Sequence, residues 1–202
     1  MRLMLPLLAV ITVLTLPACR SPQVRYHTLV PPAAGVVYPH PALFAIDLLP
    51  IEVPAQVDRQ QVVIRDGQDG AMILDDDRWL SPLSDEIHTA LSSLLVQRSG
   101  AQNASGQPLP RDIPVLRIRM QIRRFDSWPG QFVSLDADWS LSVKNGDKRL
   151  KLSCRSQLTE SAVGDNAHLF SAWQKIIAQV ATQMTETARR WQQHEGNIAC
   201  QS

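Results

Sequence analysis

The 202-residue chain has almost no net charge, with 20 Lys and Arg against 19 Asp and Glu. Such a balanced surface gives no electrostatic case for nucleic acid as a partner. After the first twenty residues no run of 18 apolar residues occurs, so nothing later in the chain reads as a spanning helix. The motifs of common chemistries are missing too: there is no GxSxG, no GxxxxGK and no HExxH. The five histidines, at 27, 40, 88, 168 and 194, have no paired spacing that would chelate a metal. Asp75-Asp76-Asp77 is acidic, but consecutive residues of an extended segment point opposite ways and lack the 1-3-5 spacing of a calcium loop, so the run reads as a solvated turn. These absences leave no catalytic constellation, and the expectation is a protein that is not an enzyme and holds no metal or diffusible cofactor.

What is present begins with the amino terminus. One positive charge, Arg2, precedes an apolar run from Leu3 to Leu16 broken only by Pro6, Thr12 and Thr15. That is the layout of a secretory signal, too short for the roughly 20 residues of a permanent span. The segment ends in Leu16-Pro17-Ala18-Cys19, which resembles the bacterial lipobox, although Pro17 departs from the small or β-branched residue usual at its place. In a lipobox the cysteine sulfur takes a diacylglycerol, and cleavage leaves that cysteine as an amino-terminal residue that is N-acylated in turn. The plainer alternative is a secreted protein whose cysteine lies near the cut by chance. One acyl chain anchors only marginally, so a multiply acylated Cys19 is what would hold a soluble domain to a membrane. Arg20 stands where an aspartate would favour inner-membrane retention, so the expected address is the periplasmic face of the outer membrane of a Gram-negative envelope. With Cys19 assigned to lipid, Cys154 and Cys200 remain as an even pair in an oxidising compartment. We expect a disulfide between them, the alternative being two unpaired thiols.

The expected organisation is a signal peptide over 1–18, a lipidated cysteine and extended proline-rich tether over 19–40, and one domain over 41–202. Within the domain, Phe44, Ile46 and Leu48 alternate in an edge or bulged strand, and two short strands flank a Gly67 to Gly70 turn. A helix follows in "LSPLSDEIHTALSSLLVQRSG", with Ser81 as cap, Pro82 in its first turn and Gly100 as its stop. The stretch "GAQNASGQPLPRD" reads as an unstructured polar loop. Next comes an antiparallel meander. Leu116, Ile118, Met120 and Ile122 face one way, with Val133, Leu135, Ala137, Trp139, Leu141 and Val143 on the same side of the next strand. With Ser127 to Gly130 as the loop, Met120 should meet Ala137 and Arg119 should meet Asp138; with Asn145-Gly146 as the next turn, Arg155 should lie opposite Asp136. The arginine row Arg117, Arg119, Arg123, Arg124 is then a set of cross-strand ion pairs rather than a headgroup-binding patch. A last helix, capped by Asp165 or Asn166, carries the apolar stripe Leu169, Phe170, Trp173, Ile176, Ile177, Val180, Met184, Ala188 and Trp191. The fold class is therefore α+β: one domain with a mostly antiparallel mixed sheet covered by two main helices.

Two stretches go further. "LLPIEVPAQVDRQQVVIRDG" carries Pro54, Asp58, Arg59, Gln61 and Arg65, and "DDRWLSPLSDEIHTALSSLL" carries Trp79 and Pro82. With Tyr26-His27-Thr28-Leu29 before them, they resemble the ABC-type transport auxiliary lipoprotein family. The resemblance implies an outer-membrane lipoprotein that works with an inner-membrane permease-like subunit and an MCE-domain protein whose tube crosses the periplasm. In that setting it would move lipids and support membrane integrity as a docking element. Docking on a symmetric tube would suit a cyclic homo-oligomer. Elementary chemistry gives the matching residues structural or interface work. Pro54 sets an extended exit, Asp58 makes an Asx-turn, Arg59 pairs nearby, and Trp79 plugs the core. Two other classes remain: a different periplasmic adaptor of an assembly or secretion machine, and a lipoprotein hydrolase, which would need a serine with His88 or His168 in one cleft. The anchor is directly testable. The intact mass of the mature protein should begin at Cys19 with added acyl mass, and an unmodified amino terminus would exclude lipidation.

Overall fold

The computed structural model describes residues 23–32, 42, 44–105, 113–145, 148–193 and 200. The signal segment, Cys19, His40 and His194 lie outside them. Among the described residues, eight strands and two helices follow in order: β1 Arg25–His27, β2 Ala45–Leu48, β3 Gln61–Asp66, β4 Gly70–Trp79, α1 Leu83–Ser99, β5 Gln102–Asn103, β6 Val115–Trp128, β7 Phe132–Asn145, β8 Lys148–Ser161 and α2 Asn166–Gln193. They form a single α+β domain with two mixed sheets, one of three strands in the order β1-β4-β3 and one of five in the order β5-β2-β6-β7-β8.

The tether expectation needs correcting at its inner end. Arg25–His27 pairs in parallel with Asp77, Arg78 and Trp79, and Leu29 is fully buried. Three residues carry no readable periodicity, and their partner lies about fifty positions downstream. Gln102–Asn103 likewise leaves the expected loop to pair in parallel with β2, so β2 is flanked on both sides instead of forming the edge.

The meander has the expected faces and a different register. Leu116, Ile118, Met120 and Ile122 are buried with Val133, Leu135, Ala137, Trp139 and Leu141, while Val143 is half-buried. Met120, however, lies opposite Trp139, and Arg119 opposite Ser140. The turn drives the shift: β6 runs on to Trp128, which pairs with Phe132. Pro129 and Gly130 then occupy the central positions of the turn, with Gly130 at φ 69° and the Gln131 N–H donating to the Trp128 carbonyl at 3.1 Å. Proline followed by a left-handed glycine is the residue pair of a type II turn. The turn alone would shift the pairing by three positions; a bulge between Ile122 and Arg124 takes one back, so Arg123 and Arg124 are both exposed and Phe125 and Ser127 return to the inner face. On the far side, Asn145 pairs with Lys148 and Arg155 lies opposite Asp138, two residues from its expected partner. A slip of two keeps every side chain on its face.

Both helices pack on the inner face of the five-stranded sheet, α1 toward β2 and β5, α2 toward β7 and β8. Gly100, at φ 68°, closes α1 by donating its N–H to Val96 O at 2.9 Å. Asp165 opens α2, its Oδ1 accepting the Ala167 N–H at 3.0 Å. All nine residues of the expected stripe on α2 are buried. At the centre stands a column of rings. His27 stacks on Phe170 at 3.4 Å, Phe170 meets Trp79 edge-on at 5.4 Å, Trp79 meets Phe125 edge-on at 6.5 Å, and Phe125 stacks on Trp173 at 3.4 Å. The buried indoles are satisfied, Trp173 Nε1 donating to Ser127 Oγ at 2.8 Å and Trp139 Nε1 to Ser156 Oγ at 2.9 Å.

Cys154 and Cys200 form a disulfide with their Cα atoms 5.5 Å apart, closing a separation of 46 residues between β8 and the carboxy-terminal end. In the chain-entropy description, a loop of this size restrains the unfolded state by about 4 kcal/mol, and measured values are commonly lower. Replacing both residues by serine should lower unfolding free energy by about 2–4 kcal/mol in denaturant titrations. Identical midpoints and peptide maps with and without reductant would show that the bond does not form in periplasmic material.

Candidate functional site

Two carboxylates that composition would place on the surface are buried, and both hold the amino-terminal segment. Asp77 closes the acidic run expected to be a solvated turn. Instead β4 continues through the run and turns Asp77 inward, where it is 2% exposed. Its Oδ1 accepts Arg25 Nε at 3.0 Å and bonds His27 Nε2 at 2.7 Å, while Oδ2 accepts Arg25 Nη2 at 2.9 Å. Burial pushes the Asp77 carboxyl up, but the hydrogen bonds and charges of Arg25 and His27 together outweigh it and hold the group below its ordinary range. Glu86, in the first turn of α1, is 5% exposed. Its Oε2 accepts the Thr28 hydroxyl at 2.9 Å and the Leu29 N–H at 3.0 Å, and its Oε1 accepts Ser81 Oγ at 3.2 Å. From the other side Gln174 Nε2 donates to Thr28 O at 2.9 Å. Residues 25–29 are thereby bolted to β4, α1 and α2.

The family-like residues divide between this head region and a neighbouring groove. Pro54 opens a turn, its carbonyl accepting the N–H groups of Val57 and Asp58 at 3.0 and 3.2 Å. Asp58 does not close the expected Asx-turn. Its Oδ1 accepts the Ser84 N–H at 2.9 Å and so caps α1 from 26 residues away. The cap is supplied from outside because Pro82 occupies the N-cap position and no side chain there bonds back, while Ser81, the expected cap, is spent on Glu86. The Pro82 carbonyl accepts Asp85 and Glu86 N–H at 3.0 Å each. Arg59 is exposed, and Gln61 lies opposite Arg78 in the β3–β4 ladder. Trp79 is 2% exposed at the middle of the ring column, a core residue as expected.

Arg65 faces the groove. This hollow of about 550 Å³ lies between β3 and the turn end of β6 and β7, lined by Pro54, Val57, Arg65, Arg124, Trp128 and Phe132 among others. Arg65 lies with Cζ 5.5 Å from the Trp128 ring centroid, within cation–π range, and its Nη2 donates to Gln68 O at 3.0 Å. Arg124 Nε is 3.8 Å from Asp126 Oδ2. Reading Ser127 to Gly130 as loop hid Trp128; the Trp-Pro-Gly type II turn was the available signal that Trp128 and Phe132 pair at this end.

The outer face of the five-stranded sheet is ion-paired. Arg117 reaches Asp47 at 2.8 Å, Arg119 reaches Glu52 at 3.2 Å, Arg123 reaches Asp138 at 2.9 Å, and Arg155 Nε reaches diagonally to Asp136 at 2.8 Å. Three arginines of the row pair across strands, two of them with the β2 segment and not with the facing aspartates, while Arg124 pairs with Asp126 of its own strand. The Arg155 hydrogen bond draws the Asp136 carboxyl below its ordinary range against a smaller opposing effect of burial.

Nothing in these arrangements makes a nucleophile. His88 Nε2 bonds the Leu48 carbonyl at 3.0 Å, and His168 Nδ1 bonds Asp165 at 2.9 Å. The groove containing Ser127 and Ser134 and the hollow containing Ser140 and Ser153 both lack a histidine. Among the described residues no group of three or more His, Cys, Asp or Glu is placed to hold a metal ion, and no helix is long and apolar enough to cross a membrane. What the geometry offers is a rigid head and a concave aromatic and cationic surface suited to contact.

Comparisons with known proteins bear on the same region. A family model described as the ABC-type transport auxiliary lipoprotein component matches residues 27–185. One solved structure, of a protein described as uncharacterized, superposes with a TM-score of 0.59 at 16% identity, covering 82% of this chain and 99% of its own. Another, from Xanthomonas campestris and assigned to the DUF330 family, gives a TM-score of 0.52 at 15% identity over 85% of this chain and 97% of its own. No curated protein sequence matches.

The Asp77 cluster generates a prediction with a definite sign. Because its folded value lies below the unfolded one of about 3.9, the stability it adds is complete above that value and is lost as pH falls through the folded one. The protection of the Tyr26 and His27 amides against exchange should therefore fall, relative to that of the buried strands β6 and β7, as pH drops below about 4. Asp77→Asn should already exchange quickly there at about pH 5 and lose about 1–3 kcal/mol of stability. Equal protection of β1 in both proteins would show that Asp77 does not hold the strand.

Proposed function

Because the chain belongs to the ABC-type transport auxiliary lipoprotein family, we propose that it acts by contact, as a docking element of a trans-envelope lipid transport system. It sits on the periplasmic face of the outer membrane, tethered through acylated Cys19 once residues 1–18 are removed. The partners we assign are an MCE-domain protein that crosses the periplasm and, at the far end, an inner-membrane permease-like subunit. The observation that carries the reading is the use made of the family-like residues. Asp58, Trp79 and Pro82 build the head of α1 and the ring column, while Pro54 and Arg65 line the groove. That groove holds serines but no histidine to activate them. Aromatic and arginine side chains at the floor of a concave surface are the residue types that dominate interface energetics. A tube presents the same surface several times about its axis, so a cyclic ring of copies of this chain is the assembly that matches it.

The test is recovery of partners from detergent-solubilised envelope. Wild-type protein should retain an MCE-domain protein identified by mass spectrometry. Arg65→Glu, shown folded by circular dichroism, should lose at least tenfold of it. Cys19→Ala behind a cleavable soluble signal should fold yet leave the membrane fraction. A protein that stays monomeric at high concentration and retains no MCE-domain protein would replace this reading with another periplasmic adaptor role.

A further inference from the structure

The anchoring reading fixes one end of the chain, and the fold then decides which part of the domain meets the bilayer. Five residues, Arg20 to Val24, lie between Cys19 and Arg25, a span of six Cα steps. At ~3.3–3.6 Å per residue even a fully extended segment reaches only ~20 Å from the lipid to the first strand. β1 cannot be drawn out to lengthen that reach without breaking the Asp77 and Glu86 bonds on residues 25–29.

Direction follows from pairing. β1 runs parallel to β4 with Arg25 opposite Asp77, so the chain leading back to Cys19 leaves β1 toward Gly70, the start of β4. From Asp77 back to Gly70 the hairpin extends beyond Arg25, but β4 is bulged, and Gly70 to Arg78 faces only Asp66 to Gln61 of β3. At ~3.3 Å per β3 residue that span is ~17 Å, inside the ~20 Å that the extended tether can reach. The hairpin tip therefore lies on the anchor side of β1, within reach of the bilayer that holds Cys19.

The side chains at that end suit the arrival. Met72 is 49% exposed and Ile73 44% at the hairpin, and Val24 is exposed on the segment that leaves toward the anchor. Of the six large apolar side chains exposed among the described residues, these three lie on the anchor side of Arg25. Exposed apolar side chains at the end nearest the anchor mark a contact surface. Asp66 and Asp69 are exposed at the turn, and Arg65 is turned away onto Gln68 O and the Trp128 ring. An acidic tip is repelled by anionic lipid, which leaves zwitterionic headgroups as the fitting surface.

We propose that the tip of the β3–β4 hairpin, carrying Met72 and Ile73, is a membrane-contact surface that seats in the headgroup region of a zwitterionic phospholipid bilayer. It rests on the Cys19 anchor. Its depth is limited to the headgroups because, among the described residues, β4 has no second partner strand before Asp77, and unpaired backbone groups are not carried into hydrocarbon.

The experiment uses the full, lipidated protein reconstituted in phosphatidylcholine vesicles. With Cys19 acylated and Cys154 bonded to Cys200, a cysteine introduced as Ile73→Cys, or separately Met72→Cys, is the sole thiol for an environment-sensitive fluorophore. Glu186→Cys, exposed near the far end of α2, is the reference. Brominated phosphatidylcholine should quench the label at 72 or 73 at least twofold more than at 186, and anionic lipid should reduce the difference. Equal quenching at both ends, with the protein floating with the vesicles, would overturn the hairpin contact while leaving the anchor intact. Protein that fails to float and carries no acyl mass would overturn the anchor and the contact with it.

Discussion

The ring column from His27 through Phe170, Trp79 and Phe125 to Trp173 is the interaction on which the other parts depend. Its members come from β1, α2, β4 and β6, so one run of aromatic contacts joins the three-stranded sheet, the five-stranded sheet and the long helix. Stacked and edge-on pairs add about 0.5–1.5 kcal/mol each beyond the area they bury. The chain has few aromatic residues, 11 in all, and four of them, Phe170, Trp79, Phe125 and Trp173, are spent on this column. Scarcity makes each costly to lose. Truncating Trp79 would open a cavity where both sheets meet the helix.

The column also explains why polar groups are tolerated close to it. His27 lies flat on Phe170 and presents Nε2 to Asp77, and Trp173 lies flat on Phe125 and presents Nε1 to Ser127. Each ring covers apolar surface with its face and satisfies a buried oxygen with its edge. The charged sheet face uses the opposite arrangement. There the pairs are solvent-exposed, and each contributes about 0–1 kcal/mol. Their effect is on strand order, since Arg117 and Arg119 select Asp47 and Glu52 across β2.

What could be read from the sequence was whatever repeats. The 3.6-residue stripe of α2 and the two-residue alternation of β6 and β7 named the core side chains correctly, since burial acts on every turn and every second residue. Glycine at the end of α1 and aspartate at the start of α2 were local signals for local geometry. Register was different. The bulge at Arg123 and Arg124 adds one residue to one strand, and both neighbours are arginines, so no hydrophobic position reports it. The candidate site was hidden for a related reason. Asp58 acts across 26 positions and Asp77 across about 50, and a carboxylate's burial depends on the donors that find it. The resemblance identified several of these residues; their roles required the fold.

The bolted amino-terminal strand has a mechanical meaning. With Cys19 anchored as proposed, a pull between the membrane and the domain enters at residue 24 and runs along the axis of β1. Parallel pairing to β4 then loads the ladder in shear, so its hydrogen bonds and the Asp77 cluster resist together instead of opening one after another. Beyond β1 the force passes at Leu29 to Glu86 and the first turn of α1. The domain can thus transmit tension to its core without unravelling from its leash.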